Sequence, residues 1–322
     1  MVILNCQFSY NDLILRLLSF DFMKAFLTKK QKVEKLSLGT AQFGFNYGIA
    51  NKKGKVTFEE ANEILSFARI SGIKYLDTAI LYGESEKVLG EIGVKDLKIC
   101  TKLPSVSTNE ADDIEKWVDD SISKSIKLLK INNLESLLLH RPRELLGENG
   151  ERLYKALIRL RESGLIQKIG ISIYDPLELE DLIKNFNFDI VQAPMNVFDR
   201  RLINSGWLDK LDKCGIEIHI RSAFLQGLLL MKKEELPDKF KKWENLWGKW
   251  HTWLNETNQS PLQVCLGYLV QIHPISKIIV GVDNLRHLKE IVIAIKQEVI
   301  ELPEELFSTD ENLINPSKWQ SF

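Results

Sequence analysis

From residue 35 onward, short apolar runs alternate with longer amphipathic stretches. Eight runs have the length and the β-branched or leucine-rich content of strands: KLSLGT (35–40), KYLDTA (74–79), LKICTK (97–102), SLLLH (136–140), KIGISI (168–173), DIVQAP (189–194), IEIHI (216–220) and KIIVG (277–281). Their apolar positions are nearly continuous, which predicts burial on both faces, as in a parallel sheet covered by helices. Helical patterns fill the intervals, among them FEEANEILSFARISG, ADDIEKWVDDSISKSIKLLK, GERLYKALIRLRESG and INSGWLDKLDKCG. Gly72, Gly164 and Gly215 stand where a helix wants a left-handed C′ residue. Ser260-Pro261 offers an N-cap followed by a first-turn proline.

Eight βα units in 322 residues fit one domain, a (β/α)8 TIM-type barrel with its active site at the C-terminal face of the strands. A doubly wound sheet is the rival. It advertises its nucleotide site with G-x-G-x-x-G after the first strand, and none of the 18 glycines makes that motif. The segment 232–258 breaks the alternation. Trp243, Trp247, Trp250, His251 and Leu254 follow helical spacing after the seventh strand, which predicts an inserted helix on the active-site face. The plain expectation is that its tryptophans pack down on the barrel; the sharper one is that one of them also walls the substrate pocket.

Residues 1–22 are apolar but interrupted by Asp12, Arg16 and Asp21, and lack both a positive start and a small-residue cleavage site. They read poorly as a signal peptide or a membrane span. The expectation is a dispensable extension or an upstream start, with 23–322 forming the barrel. Forty-three basic against 44 acidic residues leave a net charge of −1, so no global field favours nucleic acid or a membrane surface. Cys6, Cys100, Cys214 and Cys265 are scattered and without metal-ligand spacing, which argues against disulfides and structural metal and suits a reducing, cytoplasmic setting. His140, His219, His251, His273 and His287 show no paired-ligand spacing, which disfavours a metal-dependent hydrolase.

The chemistry should sit where polar residues end apolar strands. Asp77 ends the second strand, Lys102 the third and His140 the fourth, with Tyr82 in the loop after Asp77. A tyrosine is a reluctant acid at neutral pH, with an ordinary pKa of ~10. A neighbouring ammonium stabilises the phenolate, lowers that pKa and eases proton donation. A carboxylate keeps the lysine charged and placed, and a neutral histidine can direct a substrate oxygen. Singly, each residue is more often a cap, a surface charge or a structural histidine. Together, on one face of three successive βα units, they predict protonation of an oxygen while hydride reaches the adjacent carbon.

These stretches resemble the aldo-keto reductase family. LSLGTAQFG…YG, YLDTAILYGESEKVLGE, TKLP, LLLHRP, GLIQKIGIS, DIVQAPMNVFDR, SAFLQGLL and IIVGVDNLRHLKE occur in family order over roughly residues 35–295. The resemblance implies a barrel oxidoreductase that reduces an aldehyde or ketone, with NADP(H) or NAD(H) bound without a Rossmann motif. It implies catalytic roles for Asp77, Tyr82, Lys102 and His140. It also implies a cofactor site drawn from Gly39, Thr40, Asp77, Ser172, Gln192, Arg221, Ser222, Leu225, Gly227, Val282, Asp283, Asn284 and His287. Ile173 stands where the family has the Asn of a Ser-Asn pair, and Arg221 where it has an aromatic stacked on the nicotinamide. A guanidinium can stack there instead and would favour the neutral, reduced ring. Ser222–Gly227 is expected to wrap the pyrophosphate. Asp283 would repel a 2′-phosphate and suit a ribose 2′-hydroxyl, while Arg286 and His287 could compensate, so NADP versus NAD stays open. Asp283 and Asn284 as plain helix caps fit either. The variants GISIYDP and RSAFLQG resemble bacterial members of cell-surface sugar biosynthesis, which makes a keto-sugar or nucleotide-linked sugar a substrate candidate. The barrel also resembles potassium-channel β subunits, so a regulatory barrel with little turnover is the alternative; the four retained catalytic residues argue against it.

Overall fold

A computed structural model describes residues 27–107 and 111–321. The extension 1–22, with Cys6, lies outside the described residues. Eight parallel strands close into a barrel in chain order: β1 (Leu36–Gly39), β2 (Tyr75–Asp77), β3 (Lys98–Leu103), β4 (Leu134–Leu139), β5 (Ile166–Ser172), β6 (Ile190–Pro194), β7 (Glu217–Arg221) and β8 (Ile275–Gly281). Closure is made by β1 on β8, with Leu36 opposite Ile278 and Gly39 opposite Gly281. Every expected strand is present. The residues that continue the apolar runs form the core: Leu36, Leu38, Leu76, Ile99, Leu137, Leu139, Ile169, Ile171, Val191, Ile218 and Ile278 are all buried.

The main helices are α1 (Phe58–Ser71), α2 (Ser85–Ile92), α3 (Ile114–Leu129), α4 (Gly150–Glu162), α5 (Leu179–Asn185), α6 (Trp207–Lys213), α7 (Glu244–Thr257), α8 (Pro261–Val270) and α9 (Leu285–Ala294). Apart from α7, these helices lay an apolar stripe on the barrel, as Val118, Ile122 and Leu129 do from α3. The punctuation acts as the sequence indicates: Gly72, Gly164 and Gly215 all have positive φ, and Ser260 caps α8 by accepting from the Gln263 amide.

The 232–258 segment forms α7 and the 3-10 turns before it. Trp247, Trp250 and Leu254 are buried with Phe198, Leu229, Phe240, Leu306 and Trp319 in a second apolar cluster beside the barrel. Each buried indole N–H has an acceptor: Trp247 donates to the Phe240 carbonyl at 3.0 Å and Trp250 to the Leu229 carbonyl at 3.3 Å. That pairing removes the penalty of burying an indole donor. The tryptophans thus serve as core, and none lines the cleft beside His140. Arg200 ties the C-terminal segment to this layer through the carbonyls of Pro303, Glu304 and Leu306.

Among the described residues no helix is long and apolar enough to cross a membrane, and no group of three or more His, Cys, Asp or Glu side chains is placed to hold a metal ion. Cys100 and Cys265 are buried free thiols.

Candidate active site

The barrel's C-terminal end brings Asp77, Tyr82, Lys102 and His140 together. The ladder continues past β2, since Thr78 N–H donates to the Cys100 carbonyl and Ile80 N–H to the Lys102 carbonyl. This carries the chain across β3 and turns it at Ala79–Tyr82, where the Tyr82 amide donates to the Ala79 carbonyl at 2.9 Å. Gly44 presses on this turn. A Cβ there would fall 1.6 Å from the Tyr82 carbonyl oxygen, so only glycine admits the approach that sets Tyr82. Sequence reasoning missed Gly44; its place in the AQFG run after β1 was the only signal.

Lys102 is 1% exposed, and its Nζ donates to Asp77 Oδ2 at 2.6 Å and to the Thr78 carbonyl at 3.0 Å. The same Nζ lies 5.1 Å from the centroid of the Tyr82 ring. The His140 ring meets the Tyr82 ring edge-on with centroids 6.1 Å apart. Asp77 Oδ1 accepts from Gln192 Nε2 at 2.7 Å, and Gln192 Oε1 accepts from Ser172 Oγ at 3.1 Å. Two of the expected cofactor residues are thereby wired into the ion pair.

Burial is the largest single effect on Lys102 and opposes its charge, yet Asp77, Tyr82 and Cys100 together outweigh it and hold the ammonium above its ordinary range. At Tyr82 the balance differs from the sequence expectation. Lys102 does favour the phenolate, but burial of the phenol is the larger effect, and the pKa is pushed up to about 12. Spacing along the chain carries the neighbouring charge and not the depth at which the pair is set. His140 is pushed down to about 4, by burial first and then by Lys102 and Arg221, so it is neutral across the physiological range. Its Nδ1 is buried without a hydrogen-bond partner.

The His140 shift has a stability consequence. Its folded pKa lies below the ordinary 6.5, so between about 4 and 6.5 the unfolded chain takes up a proton that the fold refuses. Stability should therefore fall as pH drops through this window and level off below it. Urea unfolding at pH 7 and pH 5 should show a smaller acid-induced loss in His140→Gln than in the unmodified protein; equal losses would assign the effect to other groups.

Arg221 ends β7, and its Nη2 donates to the Ile173 carbonyl at 2.8 Å. Its guanidinium sits 4.4 Å from the Tyr174 ring centroid, and that of Arg141 sits 4.9 Å from the same ring. The Ile173 side chain is fully buried, so what this position offers toward the site is its carbonyl, already taken by Arg221. A cleft of 250 Å³ opens beside His140 between the turn carrying Arg141 and Arg143 and the turn Tyr174–Glu178, with Ser317 of the C-terminal segment at its edge. Sequence reasoning did not single out Arg141, Arg143 or Tyr174.

The loop after β7 takes an uncommon path. Ser222, Leu225 and Gln226 have positive φ, as does Gly227, whereas only two other non-glycine residues among the described residues do so. Such left-handed backbone costs roughly 1–3 kcal/mol per residue and concentrates at ligand sites; successive turns of this kind form concave, anion-binding backbone. A Cβ on Gly227 would meet Ala50 at 2.4 Å. The loop is thus backbone of the kind that could hold the pyrophosphate expected there from the sequence. Gly39, the last residue of β1, pairs with Asp77, and Thr40 just beyond it donates from Oγ1 to the Asp77 carbonyl at 3.1 Å.

At the start of α9, Asn284 caps the helix by accepting from the His287 amide at 3.0 Å. The Leu285 amide donates to a carboxylate from a different element, Glu60 of α1. Val282 is buried; Asp283 faces His287, with Nδ1 to Oδ2 at 3.8 Å, and burial raises its pKa. Arg286 turns toward Glu290.

The family profile described as "Aldo/keto reductase family" matches residues 35–311. The oxidoreductase YqkF of Bacillus subtilis is 24% identical over 285 residues, covering 81% of this chain and 89% of its own. Pyridoxine 4-dehydrogenase of Escherichia coli is 24% identical, covering 76% and 84%. The holo form of an aldo-keto reductase from Bacillus halodurans superposes with a TM-score of 0.65 at 20% identity, over 84% of this chain and 89% of that one, a likeness of fold. With the barrel and a profile match spanning nearly all of it, the chain belongs to the aldo/keto reductase family and is an oxidoreductase of carbonyl groups, a family whose norm is a nicotinamide cofactor.

Proposed function

We propose that this enzyme reduces an aldehyde or ketone to an alcohol with Tyr82 as the proton donor, and that it takes NADH in preference to NADPH. The carrying observation is the buried Lys102–Asp77 ion pair set beneath the Tyr82 ring, with His140 edge-on to the phenol. A bound nicotinamide supplies hydride to the carbonyl carbon. Tyr82, whose high pKa keeps it protonated in the resting site, holds the proton that the carbonyl oxygen needs. As negative charge grows on that oxygen, the phenol gives up its proton, and Lys102 stabilises the phenolate left behind. Asp77 keeps Lys102 in place, and Gln192 and Ser172 brace Asp77. Neutral His140 directs the substrate oxygen toward the phenol. Gly39, Thr40, Ser172, Gln192, Arg221 and the Ser222–Gly227 loop would hold the cofactor, with Arg221 fixed on Tyr174 beside the reacting end.

The preference for NADH rests on the start of α9. Two of its first-turn amides are already satisfied by Glu60 and Asn284, and Asp283 adds a second carboxylate. A 2′-phosphate would meet these charges where the helix would otherwise welcome an anion. Lys53 also acts on Asp283, yet Arg286 turns to Glu290 of its own helix and His287 to Asp283 just before it. The sugar-biosynthesis resemblance keeps a keto-sugar among the substrates.

The test has two readouts. Fluorescence titration should give tighter binding of NADH than NADPH, and the variant Glu60→Gln/Asp283→Ser should shift the ratio toward NADPH by about tenfold, ~1.4 kcal/mol. Steady NADH oxidation with a panel of aldehydes and keto-sugars should follow. Tighter NADPH binding in the unmodified enzyme would refute the cofactor choice, and a flat panel would refute the reaction.

A further inference from the structure

The cleft beside His140 is lined by Arg141 and Arg143 and by two acids, Asp175 and Glu178, and Arg221 rests on the Tyr174 ring of its wall, so the cations there outnumber the acids three to two. Arg141, Arg143 and Arg221 make no ion pair with any carboxylate among the described residues. The acids nearby are committed. Asp77 is bound by Lys102 and Gln192. Glu178 accepts from the Tyr174 and Asp175 amides at 2.8 and 2.9 Å. Asp175 accepts from the Leu177 amide and faces Arg201, whose other partner is Asp199. Glu144, next in the chain to Arg143, is partly buried and held by Ser105 and the Val106 amide; Arg141 attracts it from beyond ion-pair contact, but burial is the larger effect and raises its pKa. The arginines are also placed. Arg141 and Arg221 both rest on the Tyr174 ring, which spends part of their side-chain freedom before any ligand arrives. The field at His140 reports the same imbalance: after burial, Lys102, Arg221 and Arg141 all disfavour its protonation, and Asp77 alone opposes them.

We infer that the substrate carries an anionic group, a carboxylate or a phosphate, which Arg141 grips while the carbonyl lies against His140 and Tyr82. This rests on the reading of His140 and Tyr82 as the reacting end. A planar guanidinium braced on an aromatic ring presents its edge to two oxygens at once, the geometry that carboxylates and phosphates share. Arg143, on the same turn, reinforces the attraction from the rim, and Arg221 supplies fixed positive charge deeper in. The cleft volume of 250 Å³ falls below the ~300–1,000 Å³ of drug-sized ligand sites, which suits a metabolite of a few carbons.

Matched carbonyl pairs test this with NADH: succinic semialdehyde against butanal for the carboxylate, and glycolaldehyde phosphate against glycolaldehyde for the phosphate. The anionic member of at least one pair should have a kcat/KM about tenfold higher, ~1.4 kcal/mol. Arg141→Ala should bring that ratio close to one, chiefly through KM, with Arg141→Lys in between. The pair that shows the effect identifies the anion. Calorimetry of the enzyme with succinate and with phosphoglycolate, against butyramide, reads the anion site without turnover. Anion binding that depends on Arg141 in an enzyme that turns over no aldehyde would keep the site and overturn the reaction. Turnover with equal ratios in the unmodified enzyme, or ratios untouched by Arg141→Ala, would overturn the site and keep the reaction.

Discussion

Tyr82→Phe should reduce kcat by ~10²–10⁴, the usual contribution of a positioned general acid, while leaving the fold intact. The ring makes its contacts with Phe45 and His140 through carbon, and phenylalanine preserves them. What is lost is a single O–H. With the phenol pKa pushed up to about 12, Tyr82 stays protonated at neutral pH, and the substitution removes a proton that was present. Thermal melting and cofactor titration should stay near the unmodified values, while stopped-flow or steady-state oxidation of NADH collapses. A variant turning over at the unmodified rate would remove Tyr82 from the chemistry and point to a bound water as donor.

Lys102→Met should be costlier, because it strikes stability as well as rate. Lys102 and Asp77 are 1% and 5% exposed at the side chain, so removing the ammonium leaves a carboxylate in the barrel with Gln192 as its remaining side-chain donor. Breaking one partner of a buried pair typically costs about 3–5 kcal/mol. The phenolate that forms at Tyr82 during turnover would also lose its nearest cation. Urea denaturation should show the destabilisation and kinetics the loss of rate. The double variant Asp77→Asn/Lys102→Met separates the two effects. Neutralising both groups removes the stranded charge and should recover most of the stability, yet activity should stay lost. If the double variant were as unstable as Lys102→Met, the cost would lie in packing around the lysine stem.

Much of this architecture was legible along the chain because it depends on local rules. Uninterrupted apolar runs such as SLLLH and KIGISI have no polar face and must be covered on both sides, which leads to a parallel barrel. Gly72, Gly164 and Gly215 needed only their helices to be read as left-handed caps, and all three are. Asp77, Lys102 and His140 could be found because strand ends in such a fold converge. What stayed hidden depends on distance through space. Glu60 lies in the first long helix, and nothing in FEEANE says that its carboxylate receives the Leu285 amide from the far end of the chain. Arg141 and Arg221 belong to different βα units, and only the fold reveals that they share Tyr174. The direction of the Tyr82 shift was missed for a similar reason, since burial is a property of the whole barrel. The tryptophan stripe went the plainer way, as core, because helical spacing reports a buried face and not what the face is buried against.

The closure of β1 on β8 shapes how the protein must be made. During synthesis β1 emerges early and β8 very late, so β1 and β7 each keep a row of unsatisfied backbone donors and acceptors until the last strand is available. A nascent chain in that state is an open, sticky sheet, and domains of this size commonly pass through such partly formed species. Once β8 inserts, both edges vanish together. Amides of Leu36–Gly39 and Ile278–Gly281 should then exchange with solvent only when the barrel opens as a unit.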